Sequence, residues 1–209
     1  MTDTLFADVS EYQPAVTDDY THAGYRWLSI RSNDGTYRDR NFSDNYRWCV
    51  QAADSDALDG FIVYSYWRPN WDDTAQTMID LVTAEGGPHP KMVAMIDLES
   101  GGNPGGDQSE GVNAMYQKLA AWLGNPQRVI GYANSGDLVS MWPTRPDGLR
   151  VIGAGYGTNP NLPGQVAHQY TDGKGYGDYL PQGAPPFGNC DMNCADGLSS
   201  TDLAGALGI

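Results

Sequence analysis

Two acidic residues, Asp97 and Glu99, follow a short apolar run and come directly before a glycine-rich loop. Residues 93–96 are all apolar, which is typical of a strand buried on both faces. Side chains at positions i and i+2 of a strand point the same way, about 7 Å apart at Cα. Two neighbouring carboxyl groups with separated pKa values can supply the acid and its partner for cleavage of a glycosidic bond. The spacing therefore predicts a catalytic pair, although Asp-x-Glu also arises by chance among solvated surface acids.

Strand and helix patterns alternate along the rest of the chain, and they must position this pair. The predicted strands are residues 5–10, 27–32, 61–67, 91–97, 128–133, 149–156, 165–170 and a short one near 190–193. The predicted helices are one ending near residue 24, then 41–58, one starting near 72, 107–123 and 135–142. Such alternation predicts a parallel sheet with helices outside it. We expect one α/β domain over residues 1–209, an irregular (β/α) TIM-like barrel of about eight strands with short or missing late helices and a loop at 171–188.

The carboxyl ends of parallel barrel strands gather at one face, so the residues there should share one cleft. The candidates at strand ends are Asp8, Tyr64, Tyr66, Trp67, Asp97, Glu99, Tyr132, Gln169, Tyr170 and Asp191. Carboxylates crowded together cannot all ionise freely, so at least one pKa should rise. Arg31, also at a strand end, either holds a carboxylate or is exposed. Trp67 fits a core position equally well, and Asp191 could be a turn residue.

Composition excludes several classes of function. The chain of 209 residues carries a formal net charge of −14 and no run of 18 apolar residues. Nucleic-acid binding needs clustered Lys and Arg, and a spanning helix needs a long apolar run, so neither is expected. The N-terminus lacks a basic segment followed by a long apolar one, so we expect synthesis in a cytoplasm without a secretory signal.

The cysteines and histidines do not predict a metal centre. Cys190 and Cys194 are close enough in sequence for a disulfide, and Cys49 leaves the number odd. Free thiols are the default for a chain without a secretory signal. The three histidines are isolated from one another, so a zinc site is not expected, and His168 is more readily a structural residue than a general base.

Five segments in order resemble the motifs of glycoside hydrolase family 25, the Chalaropsis-type lysozymes or N-acetylmuramidases. The segments are residues 6–13 (FADVSEYQ), 29–36 (SIRSNDGT), 95–99 (MIDLE), 168–172 (HQYTD) and 190–193 (CDMN). Each match is short, but their order and their placement at strand ends make the set specific. Together they run nearly from end to end of the chain.

The resemblance implies hydrolysis of the β-1,4 bond between N-acetylmuramic acid and N-acetylglucosamine in peptidoglycan. It implies that Glu99 is the proton donor, that Asp97 orients the substrate N-acetyl group or steadies positive charge, and that Asp8 and Asp191 line the cleft. It maps the aromatic residue of the third strand to Tyr64, and Tyr66, Trp67, Arg31, Tyr132, Gln169 and Tyr170 complete the expected substrate-binding set. It implies no metal or cofactor, a monomer, and a phage endolysin-like catalytic domain that reaches the cell wall after release.

Two other classes of protein remain open at this stage. A non-catalytic sugar-binding barrel would keep the aromatic residues and tolerate loss of the acids. A metal-dependent polysaccharide hydrolase or deacetylase would use the same acids to hold Mg²⁺ or Ca²⁺. A nucleotide-binding enzyme is disfavoured, because no Gly-x-Gly-x-x-Gly follows the first strand and no Walker loop occurs.

Overall fold

Strand pairing closes the main sheet into an eight-stranded barrel in the computed structural model, which describes residues 3–209. The barrel strands are β1 (Leu5–Val9), β2 (Trp27–Asp34), β4 (Gly60–Tyr66), β5 (Met92–Asp97), β6 (Val129–Asn134), β7 (Val151–Ala154), β8 (Gln165–Thr171) and β11 (Asp191–Cys194). Two-residue strands add hairpins: β3 (Tyr37–Arg38) extends β2, and β9 (Gly183–Ala184) pairs with β10 (Gly188–Asn189). The predicted barrel of about eight strands is confirmed.

The last barrel strand runs against the others. The other seven barrel strands are parallel to one another. Strand β11 pairs antiparallel with both of its neighbours, β1 and β8. The prediction of an entirely parallel barrel is therefore wrong for one strand. The reason is the connection, because no helix crosses over between β8 and β11, and antiparallel pairing needs no such crossover.

The helices lie around the barrel, and the last two along the chain are short. They are α1 (Asp19–His22), α2 (Phe42–Asp54), α3 (Trp71–Ala84), α4 (Ser109–Leu123), α5 (Ser135–Ser140) and α6 (Ser200–Ala206), with a 3₁₀ turn at Pro126–Arg128. No helix lies between β7 and β8 or between β8 and β11, and α5 and α6 are short, so the expectation of short or missing late helices is confirmed. Within residues 3–209, none of these helices has both the length and the apolar character needed to cross a membrane.

Side-chain alternation along the strands separates two apolar layers. Phe6, Ile62 and Val93 belong to the layer that fills the barrel. The residues next to them in sequence point outward and pack under the helices. Leu98 is fully buried and belongs to the same outer layer. Alternation therefore directs Asp97 and Glu99 to the cleft side of β5 and Leu98 to the core, as the sequence pattern predicts.

The amino-terminal end of the barrel is sealed by α6, which the sequence analysis did not predict. Leu203 and Leu207 of this helix are buried against the interior layer, and Ser200 accepts a hydrogen bond at Oγ from the Trp27 indole at 2.9 Å. Gly60 begins β4 beside this indole, and a Cβ at Gly60 would collide with the ring. The barrel is thus closed at one end and opens only at the carboxyl ends of its parallel strands.

Helix α4 begins at Ser109, two residues after the start that the sequence predicts at residue 107. The Asp107 carboxylate accepts a hydrogen bond from the Ser109 N–H at 2.8 Å. Cys190 and Cys194 are free buried thiols, which agrees with the default expectation, and no disulfide joins them. Burial raises the pKa of each to about 12.

Candidate active site

Nine of the eleven residues predicted for the site line one cavity at the open end of the barrel. The cavity has a volume of about 210 Å³. The nine are Asp8, Arg31, Tyr64, Tyr66, Asp97, Glu99, Tyr132, Gln169 and Asp191. Each comes from the carboxyl end of a parallel strand or from the residues just beyond it, except Asp191.

Asp191 reaches the same cavity from the opposite chain direction. It is the first residue of β11 and stands beside Asp8 in the antiparallel register of β1 and β11. The prediction that Asp191 ends its strand is wrong, but a strand that runs backwards begins where its parallel neighbours end. The two carboxylates therefore lie on adjacent strands at one face.

Trp67 and Tyr170 do not line the cavity, so the prediction that they contact substrate is wrong. Both are 1% exposed and belong to the outer apolar layer. Each directly follows a cavity residue, Tyr66 or Gln169, and consecutive side chains near the end of a strand point to opposite sides. The Tyr170 hydroxyl donates to the Pro181 carbonyl at 2.6 Å and does not line the cavity.

Asp97 and Glu99 share the most strongly perturbed environment of the site. Burial, the Glu99 charge and the Asp8 charge raise the pKa of Asp97 well above its ordinary value. Burial also raises the pKa of Glu99, with a contribution from the Asp137 charge. The contact between the two carboxyl groups lowers the pKa of Glu99 and raises that of Asp97. Burial and the mutual repulsion of the two charges therefore disfavour simultaneous ionisation of the pair.

Asp97 also carries a buried oxygen without a partner. Its Oδ1 has no hydrogen-bond partner among residues 3–209, and Asp97 as a whole is only 6% exposed. A buried polar atom of this kind is costly unless a ligand completes it. Asp97 is therefore positioned to accept a hydrogen bond from a group bound in the cavity.

Asp8 and Asp191 form a second acidic pair across the cavity. Burial and the Asp191 charge raise the pKa of Asp8 to about 7, against the opposing effect of the Ser29 and Tyr64 hydroxyls. Burial and neighbouring negative charges raise the pKa of Asp191 to about 6, while Lys174 opposes the shift. Asp8 is therefore partly protonated near neutral pH.

Arg31 is the one cationic residue among those that line the 210 Å³ cavity. Its Nε donates to Asp39 Oδ2 at 3.0 Å, and its guanidinium lies 5.3 Å from the centre of the Tyr12 ring. Asp39 also accepts from the Glu11 N–H at 2.8 Å, which connects β2 to the turn after β1. Of the two roles left open by the sequence, Arg31 thus takes the first and holds a carboxylate.

A second cavity of about 310 Å³ adjoins the first and shares Glu99 and Tyr132 with it. Asn134 and Tyr156 line it, and sequence analysis missed both. The signal was available for Asn134, because alternation from Tyr132 along β6 places it on the cleft side. Tyr156 lies beyond the end of β7, where its ring stacks on Tyr176 with centroids 5.5 Å apart.

Hydrogen bonds between aromatic hydroxyls and one amide connect the two cavities. The hydroxyl groups of Tyr132 and Tyr156 both donate to Gln169 Oε1, at 2.8 Å and 3.0 Å. Gln169 therefore fixes two rings on the side of Glu99 that faces β7. These rings and the acids form one continuous cleft.

No cluster suited to a metal ion occurs in the part of the chain that the structure describes. Among residues 3–209, no three side chains of His, Cys, Asp or Glu converge with the geometry needed to hold one. The acids in the cleft form two pairs, Asp97 with Glu99 and Asp8 with Asp191.

One relative and several solved structures resemble the chain, while no protein-family model matches it. The uncharacterized protein Rv3766 of Mycobacterium tuberculosis is 61% identical over 209 residues, which is all of this chain and 75% of that protein. That degree of identity over the full chain shows common family membership.

The solved structures share the fold at low sequence identity. A family 25 glycosyl hydrolase from Bacillus anthracis has a TM-score of 0.70 and 17% identity, with 95% of this chain and 91% of that one covered. The catalytic domain of endolysin ply40 from bacteriophage P40 of Listeria monocytogenes has a TM-score of 0.70 and 19% identity, covering 100% and 98%. The modular autolysin LytC of Streptococcus pneumoniae, solved with a synthetic peptidoglycan ligand, has a TM-score of 0.67 and 16% identity, covering 92% and 46%. The chain thus belongs to the same protein family as Rv3766 and has the fold of the glycoside hydrolase family 25 enzymes.

Proposed function

We propose that the protein is a peptidoglycan hydrolase, an endo-β-1,4-N-acetylmuramidase that cleaves the bond between N-acetylmuramic acid and N-acetylglucosamine. The observation that carries the proposal is the buried Asp97–Glu99 pair at the open end of a barrel with the family 25 fold. Two of the proteins with this fold are wall-directed by name, the ply40 endolysin and the autolysin LytC. In this proposal residues 1–209 act as one catalytic domain.

Glu99 is the proton donor in the proposed reaction. It lines both cavities, so a glycosidic oxygen at their junction meets its carboxyl group. Cleavage of the bond between C1 and this oxygen leaves an electron pair on the oxygen, and the Glu99 proton neutralises it. Burial raises the pKa of Glu99, which is the direction that a general acid requires.

Asp97 assists through the substrate's own acetamido group. The unpartnered Oδ1 of Asp97 accepts the acetamido N–H, which aims the acetamido carbonyl oxygen at C1. That contact favours ionised Asp97 and hence the protonated form of Glu99. The acetamido oxygen then bonds to C1 as the glycosidic bond breaks, and ionised Asp97 balances the positive charge of the cyclic intermediate. Water adds to C1 as the bond from the acetamido oxygen to C1 breaks, and Glu99 takes up the proton of the water, which completes hydrolysis.

The other cleft residues bind the glycan. Asp8 and Asp191 accept or donate hydrogen bonds according to their protonation, which near neutral pH is mixed. Tyr64, Tyr66 and Tyr132 present ring faces and edges to sugar rings. Arg31, Gln169 and the missed Tyr156 complete the binding surface around the scissile bond.

The reducing ends released from purified peptidoglycan test the proposal. Soluble fragments are reduced with borohydride and identified by mass spectrometry, with Glu99→Gln in parallel. Glu110→Gln is the matched control, because Glu110 is an exposed glutamate in the first turn of α4. Disaccharide fragments that end in reduced muramic acid, present with the wild type and the control but absent with Glu99→Gln, are the expected result.

Other results identify the rival functions. Reduced glucosamine ends would move the cleaved bond, and wall binding without products would favour a sugar-binding barrel. Activity lost on exhaustive chelation and restored by Mg²⁺ or Ca²⁺ would favour the metal-dependent hydrolase. A substrate whose N-acetyl group is replaced by a free amine tests the role of Asp97, since an unchanged cleavage rate contradicts acetamido assistance.

The proposed site of action is the bacterial cell wall. We infer a monomer that reaches the wall after release from the cell that makes it, and that uses no cofactor. The names of the similar proteins cover both phage endolysins and bacterial autolysins, and the relative at 61% identity is mycobacterial. Turbidity loss of isolated mycobacterial walls compared with other bacterial walls measures which wall is the substrate.

A further inference from the structure

Asp137, a residue outside both cavities, contacts the backbone of the loop that carries Glu99. It lies in the first turn of α5 and is 8% exposed. Its Oδ2 accepts hydrogen bonds from the Ser100 N–H at 3.0 Å and from Asn134 Nδ2 at 2.7 Å. Asn134 Oδ1 in turn accepts from the Asp137 N–H at 2.9 Å. The two side chains therefore hold each other in place without any help from substrate.

Asn103 holds the opposite side of the same peptide bond. Its Nδ2 donates to the Glu99 carbonyl at 2.7 Å and to the Trp67 carbonyl at 3.0 Å. The Glu99 carbonyl and the Ser100 N–H belong to one planar peptide unit. Both of its polar groups are thus bonded to side chains from elsewhere in the fold, which restricts rotation of the backbone on the carboxyl side of Glu99.

We propose that Asp137 is a positioning residue for Glu99, because it fixes the peptide bond that follows Glu99 and keeps a negative charge next to its carboxyl group. The inference rests on the proposed function in assigning the proton-donor role to Glu99. The Asp137 charge raises the pKa of Glu99, in addition to burial. One side chain would thereby set both the direction and the acidity of the proton donor.

Other groups also act on Glu99, and they must stay unchanged in a test of Asp137. The carboxyl groups that face it are Asp97 on β5, Asp8 on β1 and Asp191 on β11. The phenols that face it are Tyr66 on β4, Tyr132 on β6 and Tyr156 after β7. Arg31 on β2 lines the same cavity and is the cation on that side.

Asp137→Asn separates the charge from the hydrogen bonds. One oxygen, Oδ2, accepts both bonds, so an amide oxygen in its place can keep both while the charge is lost. The chain has four glutamates, Glu11, Glu85, Glu99 and Glu110, so labelling with carboxyl-¹³C glutamate gives few signals to resolve. The Glu99 signal is assigned with Glu99→Gln and titrated in wild type and in Asp137→Asn.

We expect the Glu99 titration in Asp137→Asn to move down by about half a pH unit or more, because a nearby negative charge is removed. The basic limb of the pH profile of kcat should move down by the same amount, since Glu99 must hold a proton to act as an acid. Asn103→Ala is the matched control for geometry, with no charge changed, and it should lower kcat several-fold and leave the basic limb in place.

Coincident Glu99 titrations in wild type and Asp137→Asn would overturn the inference, whatever the enzyme does. If the Glu99 titrations of wild type and Asp137→Asn differ as expected but the wild type cleaves no glycan, the Asp137–Glu99 interaction stands and the proposed function is rejected. Circular dichroism verifies the fold of each variant, and Asp137→Gln serves as the neutral variant if Asp137→Asn does not fold.

Discussion

Replacement of Asp8 by Asn should stabilise the protein at alkaline pH and not at acidic pH. Asp8 is 7% exposed, and its pKa rises from 3.8 to about 7 on folding. A carboxyl group whose pKa is higher in the folded state makes folding take up a proton. Stability therefore falls as the pH rises from about 4 to above 7, and the full cost is present above the folded-state pKa.

The shift sets the size of the effect. A rise of about three pH units at about 1.4 kcal/mol each makes ionised Asp8 cost the folded state about 4 kcal/mol at pH 8. Asn is isosteric with Asp and uncharged, so the replacement removes the charge with little change in packing.

Urea unfolding at pH 4 and pH 8 measures the difference. The free energy of unfolding of Asp8→Asn minus that of wild type should increase by about 2 to 4 kcal/mol between the two pH values. Asp147→Asn is the matched control, an exposed acid, and its difference from wild type should stay nearly constant. If the Asp8→Asn difference changes by less than about 0.5 kcal/mol, the reasoning that Asp8 is buried and ionised with difficulty is refuted.

Three further outcomes follow from contacts outside the acidic pairs. Tyr20→Phe should lower the free energy of unfolding by about 2 to 3 kcal/mol in urea titrations, because the buried hydroxyl accepts from the Ala7 N–H at 3.0 Å and donates to the Trp27 carbonyl at 2.5 Å. The three buried thiols should react with a disulfide reagent only after unfolding, as followed by absorbance of the released thiolate, and rapid reaction of the native protein would contradict their burial. Arg68→Lys should reduce kcat several-fold with a thermal midpoint close to that of wild type. The variant loses the two-point pair with Asp34 and the hydrogen bond to the loop after Glu99. A kcat equal to that of wild type would show that these contacts are not needed.

Periodicity in the sequence predicted the elements that position the cleft, because their physical cause is local. The run before Asp97 is apolar at every position, and a strand covered on both faces needs that pattern. Residue type alone is not sufficient at adjacent positions. Tyr66 and Trp67 are both aromatic, and only the strict alternation of side chains assigns Tyr66 to the cleft and Trp67 to the outer layer.

Features that depend on long-range pairing could not be predicted in this way. The direction of β11 is set by its partners β1 and β8, and its four residues carry no periodic signal that distinguishes parallel from antiparallel pairing. The plug formed by α6 is similarly hidden, since Leu203 and Leu207 become a core only against the barrel interior. In the sequence, Asp137 has the pattern of an ordinary acid in the first turn of a short helix. Its contact with the Ser100 N–H exists only in the folded chain.

The direction of β11 has a chemical consequence for the cleft. A strand antiparallel to β1 places its first residue, Asp191, directly beside Asp8, whereas a parallel strand would place its last residue there. Burial, with the Asp191 charge as the second contribution, raises the pKa of Asp8 to about 7. A parallel strand would place a different residue beside Asp8, and the contribution of the Asp191 charge would be lost. Asp8 therefore stays partly protonated at neutral pH in part because β11 is reversed, and the face of the cleft formed by β1 and β11 carries less negative charge as a result.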